Sequence, residues 1–406
     1  MMKGMDNMFI TLGKTEVKPE EVGYDSSRID AVHEHFRWLI EDKKLIQSAA
    51  YCVSRKGKIF MSGAVGASSS NTEVPRKPDD ICTVASTTKM ITATAIMKLV
   101  EDGLLRLDTQ VCTILPQFSK EPLNQVTVFQ LLTHTSGLYP DDSADWSGLS
   151  QPEIGYWGYI EKHIDDVVEN GVEFDWVSAS MKQGLRKKPG SEWAYCSFGF
   201  SILGAIIEKL TGVFAHDYIE KELFAPLEMD DSFFTIPKEK AARIYSYSDW
   251  MKNRVNKILN DESNDSPHDN YYSQIPKCGG GVFSTVYDMV RFGNMLLYKG
   301  SFDGQRVVGK KAIERMTKRS LFNMPCYCWN GNDPDFIYGV GCDMKGQTSM
   351  IHSEGTFFHE GAGACGTFID PKEELVASWF VPLFDQSGWP NEAMAGTVNV
   401  VWSGLI

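Results

Sequence analysis

Ser86 and Lys89 stand three positions apart at the start of a long apolar segment. Side chains with this spacing meet on one face of an α-helix, so the hydroxyl and the amine would lie one turn apart. A neighbouring amine can take the proton of a serine and let its oxygen attack a carbonyl carbon, with no histidine in the base position. The pair therefore predicts a serine that becomes acylated. The alternative is a helix-capping serine followed by a surface lysine.

The segment around this pair favours the catalytic interpretation. From Ser86 to Gly103 the residues are apolar on almost every side, which predicts a helix buried within a domain. A lysine in the first turn of a buried helix is costly unless its amine has a partner or a task.

Tyr195 is the candidate for a second base. It precedes a predicted apolar helix from Phe198 to Leu210. A nearby lysine ammonium favours the phenolate form, so we expect the pKa of Tyr195 to fall towards a useful range. The alternative is a core tyrosine whose hydroxyl is hydrogen-bonded.

A third segment, His359-Glu360-Gly361-Ala362-Gly363, lies between two strand-like runs. Its small residues would let a substrate backbone lie against a strand edge. A backbone N–H at this point, together with that of Ser86, could form an oxyanion hole. The alternative is a glycine-rich hairpin turn.

In this order, the three segments resemble the serine β-lactamase and penicillin-binding protein superfamily. The closer likeness is to its class C-like branch, which includes D-peptidases and family VIII esterases. Two further stretches fit the same pattern, Leu131 to Leu138 and Gly279 to Thr285. The resemblance extends from about Gly23 to about Pro382.

The resemblance implies a role for each matching residue. Ser86 would be the nucleophile, Lys89 its proton-relay partner and Tyr195 the tyrosine of the Tyr-x-Asn element. His359 to Gly361 would replace the Lys-Thr-Gly strand, and the N–H groups of Ser86 and Ala362 would form the oxyanion hole. Whether Lys89 or Tyr195 takes the serine proton stays open, because the two titrate as a coupled pair.

Two departures from the family pattern bear on the substrate. Ser197 stands where the family has asparagine, so it holds a substrate amide less firmly. His359 replaces the strand lysine and removes a permanent cation that would pair with a penicillin or peptide carboxylate. Both changes favour an ester or a small amide over a β-lactam. Glu360 would bind a substrate amine or be a solvated strand charge, and Gly361 is expected to lie along the substrate.

Aromatic residues form two sets along the chain, one between Tyr139 and Trp176 and one between Phe322 and Phe336. Trp157 and Trp329 are expected to line a hydrophobic pocket for an acyl or aryl group. The alternative is ordinary packing of a helical subdomain.

The predicted elements indicate an α+β fold. Strands at both chain ends, with helices between them, predict an antiparallel sheet flanked by helices in an α/β sandwich domain, plus an all-helical domain. The resemblance makes this the β-lactamase/transpeptidase-like fold. Residues 1–85 and 215–406 would form the sheet domain, residues 86–214 the helical insertion, and the active site would lie at their junction. The predicted strands are Ala49–Val53, Ile59–Val65, Ile337–Asp343, Met350–Phe358, Gly366–Asp370 and Leu375–Val381.

Composition excludes several other classes of protein. The 406 residues carry a net charge of −13 and only short basic clusters, so nucleic acid is not an expected partner. No stretch has the length of a membrane span, and no signal peptide is recognisable, so a cytoplasmic protein is expected unless an export signal has been removed. The nine cysteines show no metal-like spacing and are expected to be reduced thiols. The oligomeric state is not predicted.

The leading hypothesis is a serine acyl hydrolase that acts on a small-molecule ester or amide and needs no metal or organic cofactor. Three alternatives remain. They are a β-lactamase or D-amino-acid peptidase or amidase, an acyltransferase on the same fold, and a catalytically inactive relative that serves in binding.

Overall fold

Strands from the two ends of the chain build one six-stranded antiparallel sheet, in the order β1-β3-β2-β10-β9-β8. The computed structural model describes residues 8–69, 71–141, 154–262, 267–322, 324–326, 338–344, 349–363, 365–382 and 389–406. The sheet strands are β1 (Ile10–Leu12), β2 (Ser48–Arg55), β3 (Lys58–Gly66), β8 (Phe357–Gly361), β9 (Cys365–Asp370) and β10 (Leu375–Phe380). Two small ladders join β4 (Cys82–Thr83) to β5 (Phe283–Ser284) and β6 (Ser301–Phe302) to β7 (Gln305–Arg306).

The centre of the sheet joins the two chain ends directly, because β10 pairs with β2. Both faces of β2 are covered, so every one of its residues is buried. Alternate residues serve different cores: Ala50 and Cys52 face one, while Tyr51 and Val53 face the other. This alternation follows from the two-residue repeat of a strand.

Helices cover both faces of this sheet. On one face, α1 and α12 pack with Tyr51, Trp379 and neighbouring strand residues. On the other face, α10 packs against β2, β9 and β10. The described helices are α1 (Ser27–Glu41), α2 (Thr88–Glu101), α3 (Val128–Leu132), α4 (Gly155–Asn170), α5 (Trp176–Met181), α6 (Phe198–Thr211), α7 (Ala215–Ile219), α8 (Asp249–Leu259), α9 (Pro267–Ser273), α10 (Val286–Leu297), α11 (Lys310–Met316) and α12 (Thr397–Trp402). The fold is α+β, as the sequence predicts.

The helix predicted from Ser86 is α2, and it is buried along nearly its whole length. It starts two residues later than predicted, because Ala85–Thr87 form a separate 3₁₀ turn before it. The helix packs against α6 and α11, which come from different parts of the chain. The division into residues 86–214 and the remainder stays a prediction.

Two predicted strands are wrong in the part of the chain that the structure describes. Residues 338–343 of the predicted strand Ile337–Asp343 form no regular strand, because Gly341 has φ +71°, donates its N–H to Leu132 O at the end of α3 and packs against Ala93 of α2. The strand predicted from Met350 begins only at Phe357. The predicted strands near both chain ends are confirmed, and so is the hairpin turn at Lys56-Gly57, where φ is +52° and +73°.

The described cysteines are all free thiols, and all but Cys112 are buried. Among the described residues, no single helix has the length and apolar composition to cross a bilayer. One pair, Phe198–Thr211 with Ala215–Leu227, passes that test only in combination and across a bend of 79°.

Candidate active site

Ser86 lies in the turn that leads into α2, and its position is fixed from both sides. Ala85, just before it, has φ +43°, a left-handed conformation that a residue with a Cβ rarely adopts. On one side, Val84 donates its N–H to Val282 O at 2.9 Å. On the other side, Thr87 Oγ1 donates to His359 O at 3.1 Å. Such backbone strain beside a half-buried hydroxyl is typical of functional sites.

Lys89 is fully buried, and its amine makes three hydrogen bonds. Nζ lies 3.0 Å from Ser86 Oγ, 2.9 Å from Ser197 Oγ and 2.6 Å from Gly279 O. A protonated amine has three N–H groups, so these acceptors satisfy all of them. The predicted contact between Ser86 and Lys89 is therefore present.

Burial lowers the pKa of Lys89 from 10.5 to about 8, although the charges of Asp141 and Cys196 oppose the change. A fraction of the molecules therefore carries a neutral amine near neutral pH. A neutral amine at hydrogen-bond distance from a serine hydroxyl has the geometry and the basicity of a general base.

Tyr195 joins the same cluster, with its ring centroid 4.7 Å from Lys89 Nζ. The expected fall in its pKa is wrong, because burial and the charge of Asp141 raise it well above the ordinary value. Hydrogen bonds with the Ser86 and Ser197 hydroxyls offset only part of this rise. Tyr195 is thus a neutral phenol at physiological pH, suited to donate a proton rather than to remove one.

Ser197 connects Lys89 to a carboxylate that sequence reasoning missed, that of Asp141. The backbone N–H of Ser197 donates to Asp141 Oδ1 at 2.8 Å, and its hydroxyl donates to Asp141 Oδ2 at 2.6 Å. The two residues lie 56 positions apart, so no local pattern joins them. The only signal was the serine at an asparagine position, which lacks a carbonyl oxygen of its own.

The strand β8 runs beside the Ser86 turn and includes His359 to Gly361, beyond the predicted strand end at Phe358. A Cβ on Gly361 would lie 2.4 Å from Val84 O, so only glycine permits this approach. Ala362 follows directly and is exposed in the turn after β8. The role of its N–H in an oxyanion hole remains a prediction, supported by this contact between β8 and the turn.

His359 and Glu360 lie on the Tyr195 side of the site. The His359 ring centroid is 6.3 Å from that of Tyr195, and its Nδ1 is 2.6 Å from Glu360 O. The charge of Glu360 contributes to the raised pKa of Tyr195, so this carboxylate lies within electrostatic reach of the phenol. The involvement of both residues in substrate binding stays a prediction.

His134 lies in the stretch Leu131 to Leu138 that fits the family pattern, although sequence reasoning gave the histidine no role at this site. It is buried with φ +55°, and its ring centroid lies 4.4 Å from that of Tyr195. Its Nδ1 accepts the N–H of Cys196 at 3.1 Å, which assigns the ring hydrogen to Nε2. Burial, together with the charges of Lys89 and His359, lowers the pKa of His134 well below its ordinary value. The ring is therefore a neutral support for Tyr195.

The two tryptophans predicted to line a pocket have different outcomes. Trp157 is 48% exposed, and its ring lies 5.5 Å from Phe198 and 6.4 Å from Tyr272. These are the contacts of a packing residue, so a role in substrate binding remains a prediction. Trp329 lies outside the described residues. Among the described residues, no group of three or more His, Cys, Asp or Glu side chains could hold a metal ion.

Comparison with known proteins assigns the chain to a family. The Beta-lactamase family profile covers residues 35–390 of the chain. Penicillin-binding protein 4 of Amycolatopsis lactamdurans is 31% identical over 273 residues, which are 64% of each protein. Esterase EstB of Burkholderia gladioli is 32% identical over 219 residues, 52% of this chain and 51% of the esterase. The chain thus spans less than two thirds of either relative.

Solved structures support the same fold. A family VIII carboxylesterase superposes with a TM-score of 0.70 at 17% identity, covering 97% of this chain and 100% of the esterase. A penicillin-binding protein homologue from Caulobacter crescentus also gives 0.70, at 18% identity, covering 94% and 99% of the two chains. The fold is that of β-lactamases and transpeptidases. Taken with the profile match, this shows that the chain belongs to the Beta-lactamase family of serine hydrolases, which includes penicillin-binding proteins and esterases.

Proposed function

We propose that the protein hydrolyses carboxylic esters or small amides through an acyl-enzyme on Ser86. One observation carries this proposal: the buried Lys89 amine lies 3.0 Å from Ser86 Oγ, with a pKa lowered to about 8. A nucleophile and a base at this distance form the minimal pair for covalent catalysis of acyl transfer.

The acylation step follows from these positions. Ser86 Oγ bonds to the substrate carbonyl carbon while its proton passes to Lys89 Nζ, and the carbonyl π pair moves onto oxygen. The N–H groups of Ser86 and Ala362 stabilise that oxyanion. When the tetrahedral intermediate collapses, the bond to the leaving group breaks, and the leaving oxygen or nitrogen takes a proton from the neutral phenol of Tyr195, which Lys89 reprotonates.

Water then repeats the sequence on the acyl-enzyme. Its proton passes to Lys89, its oxygen bonds to the acyl carbon, and the Ser86 oxygen leaves with a proton. The acid is released, and the site returns to its starting protonation. Each step uses the same base, so one pKa governs both halves of the reaction.

The side chains around the site favour uncharged substrates over β-lactams. His359 occupies the strand position of the family lysine, and Asp141 and Glu360 both act on Tyr195 through their negative charge. A penicillin or a peptide with a free carboxylate therefore meets carboxylates without a permanent strand cation, which is unfavourable.

A panel of p-nitrophenyl esters, a p-nitroanilide and nitrocefin tests the proposal on the wild type and on Ser86→Ala. We expect the largest kcat/KM on the esters and a loss of at least about 10⁴-fold in Ser86→Ala, as for removal of other serine nucleophiles. Intact-protein mass during ester turnover should show an acyl adduct on the wild type alone. A larger kcat/KM on nitrocefin would favour a β-lactamase, and a wild type that no fluorophosphonate labels would favour a binding protein.

A further inference from the structure

The hydrogen bonds around Lys89 have a fixed direction. Gly279 O is a carbonyl oxygen and can only accept, at 2.6 Å from Nζ. Ser197 Oγ has one hydrogen, and it is given to Asp141 Oδ2 at 2.6 Å. Towards Lys89, at 2.9 Å, the Ser197 oxygen therefore also only accepts.

The neutral form of the amine has two hydrogens and one lone pair. Because two of its three neighbours accept only, both hydrogens are directed to Gly279 O and Ser197 Oγ. The lone pair then faces the third neighbour, Ser86 Oγ, at 3.0 Å. This is the orientation in which the amine can take the serine proton.

We propose that Asp141 is a positioning residue for Lys89: by holding the Ser197 hydroxyl hydrogen, it aims the amine lone pair at Ser86. This rests on the proposed function, in which Lys89 is the base. An asparagine at position 197 would present a carbonyl oxygen that accepts without help, whereas a serine hydroxyl works in either direction. In this chain, Asp141 and Ser197 together replace that oxygen.

The backbone makes the arrangement specific to a carboxylate. The N–H of Ser197 donates to Asp141 Oδ1 at 2.8 Å, and it can only donate. In Asp141→Asn, the amide oxygen must therefore stay on this N–H, and the amide NH₂ must face Ser197 Oγ. The hydroxyl then receives a hydrogen bond, and its own hydrogen turns away from residue 141, towards the Lys89 amine and the Tyr195 phenol. There it competes with Ser86 for the lone pair, with almost no change in shape.

The test is the rate at which a fluorophosphonate labels Ser86, measured from pH 6 to 10, because this readout needs no knowledge of the natural substrate. We expect D141N to lower the rate on the high-pH plateau by at least about tenfold, the scale of a disturbed general base. The Ser197→Ala variant has no hydroxyl at position 197 that could reorient. Adding D141N to this variant should therefore cause no further fall in the labelling rate on the high-pH plateau.

The pH dependence of labelling distinguishes the reorientation of the Ser197 hydroxyl from the loss of the Asp141 negative charge. The groups that act electrostatically on Lys89, or on which it acts, are Asp141, Cys196 and His134, and Tyr195 lies against it. Asp141 raises the pKa of Lys89, so its neutralisation alone would move the acid limb to lower pH and leave the plateau unchanged. An unchanged plateau in D141N, or an equal loss in the Ser197→Ala background, overturns the proposal.

The chain offers a matched control in Asp175. It accepts the N–H of Ser178 at 2.9 Å and the Ser178 hydroxyl at 2.7 Å, the same pair of bonds, at the start of α5. Asp175→Asn should leave the labelling rate unchanged, which shows that disrupting such a pair is not damaging by itself. If D141N does not fold, Asp141→Ala frees the same hydrogen and should give the same loss.

Failure of this inference is distinct from failure of the proposed function. A wild type that the probe does not label overturns both. A wild type labelled at Ser86, with D141N labelled as fast on the plateau, overturns only the role of Asp141.

Discussion

In the proposed mechanism, Lys89 is a fully buried amine that serves as the base. Burial disfavours its charge and lowers its pKa. Gly279 O and Ser197 Oγ accept hydrogens from either protonation state, while Ser86 Oγ accepts from the ammonium and donates to the neutral amine. Tyr195 lies in the same environment, but burial acts on it in the opposite direction, since its charged form is the deprotonated one. One apolar environment thus moves the two pKa values in opposite directions, and the proposed mechanism uses Lys89 as the base and Tyr195 as the acid.

The pH dependence of ester hydrolysis should report Lys89. Because the base must be neutral and its pKa is about 8, kcat/KM should rise about tenfold per pH unit below 8 and level off above it. Initial rates on a p-nitrophenyl ester between pH 6 and 10, corrected with Ser86→Ala, check this. A rise in kcat/KM with its midpoint near pH 6 would contradict the assignment of Lys89 as the base.

Lys89→Met should change how stability depends on pH. The pKa of Lys89 is about 8 in the folded chain, against an ordinary value of 10.5 for a lysine in water. The unfolded state therefore binds the proton more tightly, so the charge opposes folding below about pH 8, and this opposition disappears as the pH approaches 10.5. Relative to Lys89→Met, the unfolding free energy of the wild type should rise by up to about 3 kcal/mol from pH 7 to 10.5. Urea unfolding of both proteins measures this, and a constant difference would argue against it.

At the scale of single residues, the sequence predicts which side chains helical periodicity brings together. It misses contacts between residues that lie far apart in the chain. Helical spacing placed Ser86 and Lys89 together correctly. The predicted fall in the pKa of Tyr195 was wrong, because one segment of sequence does not show how deeply a side chain is buried. Asp141 was missed, because its partner Ser197 follows 56 residues later.

Among the elements, β8 and the loop before Tyr195 hold the site in place. β8 approaches the Ser86 turn closely enough that its last residue must be glycine. The loop carries a buried ion pair, with Arg186 Nη1 3.1 Å from Glu192 Oε1 and both side chains less than a tenth exposed.

Gly361→Ala should displace β8 from the Ser86 turn. The new Cβ would lie 2.4 Å from Val84 O and 2.3 Å from Cys365 Sγ, so the backbone must move. We expect a loss of about 1–3 kcal/mol of stability and a fall of about 10²-fold in kcat/KM, since small displacements of a reacting group have effects of that size. Gly199→Ala in α6 is the control, because its Cβ would have 3.6 Å to its nearest neighbours. Unchanged activity in Gly361→Ala would contradict the close fit.

Glu192→Ala should destabilise the protein by about 3–5 kcal/mol, because it leaves the Arg186 cation buried without its carboxylate. The matched control is Asp108→Ala, which breaks an ion pair with Arg106 whose side chains are 78% and 76% exposed. That change should cost less than about 1 kcal/mol. Thermal and urea unfolding compare the two variants, and similar losses in both would contradict the importance of burial.

Over the whole molecule, the sheet depends on both ends of the chain. The sequence predicted this architecture from strand-like runs before residue 70 and after residue 360, and β2 pairing with β10 confirms it. It did not predict that residues 338–343 form no regular strand and meet β8 at a bridge between Asp343 and Phe358, because the turn at Gly341 and its contact with Ala93 of α2 override their strand-like composition. Local pattern thus determined the layers, and tertiary contacts determined which segments joined them.

A chain that ends at Met350 should be inactive, although it retains Ser86, Lys89, Asp141, Tyr195 and Ser197. It lacks β8, β9 and β10, which leaves β2 unpaired on one side and removes His359 O from the Ser86 turn. We expect no fluorophosphonate labelling and no cooperative unfolding transition. Labelling at the rate of the full chain would show that the sheet is not needed to hold the nucleophile.

The link between Thr87 and His359 spans 272 residues, and this has a consequence for synthesis. A ribosome makes the serine early, but the strand that fixes its turn emerges only near the end of translation. For most of elongation, the serine hydroxyl of the nascent chain is therefore not held in the geometry of the folded site. Under the proposed function, the hydroxyl becomes reactive only when the last strands close the sheet, so an unfinished polypeptide would not attack esters.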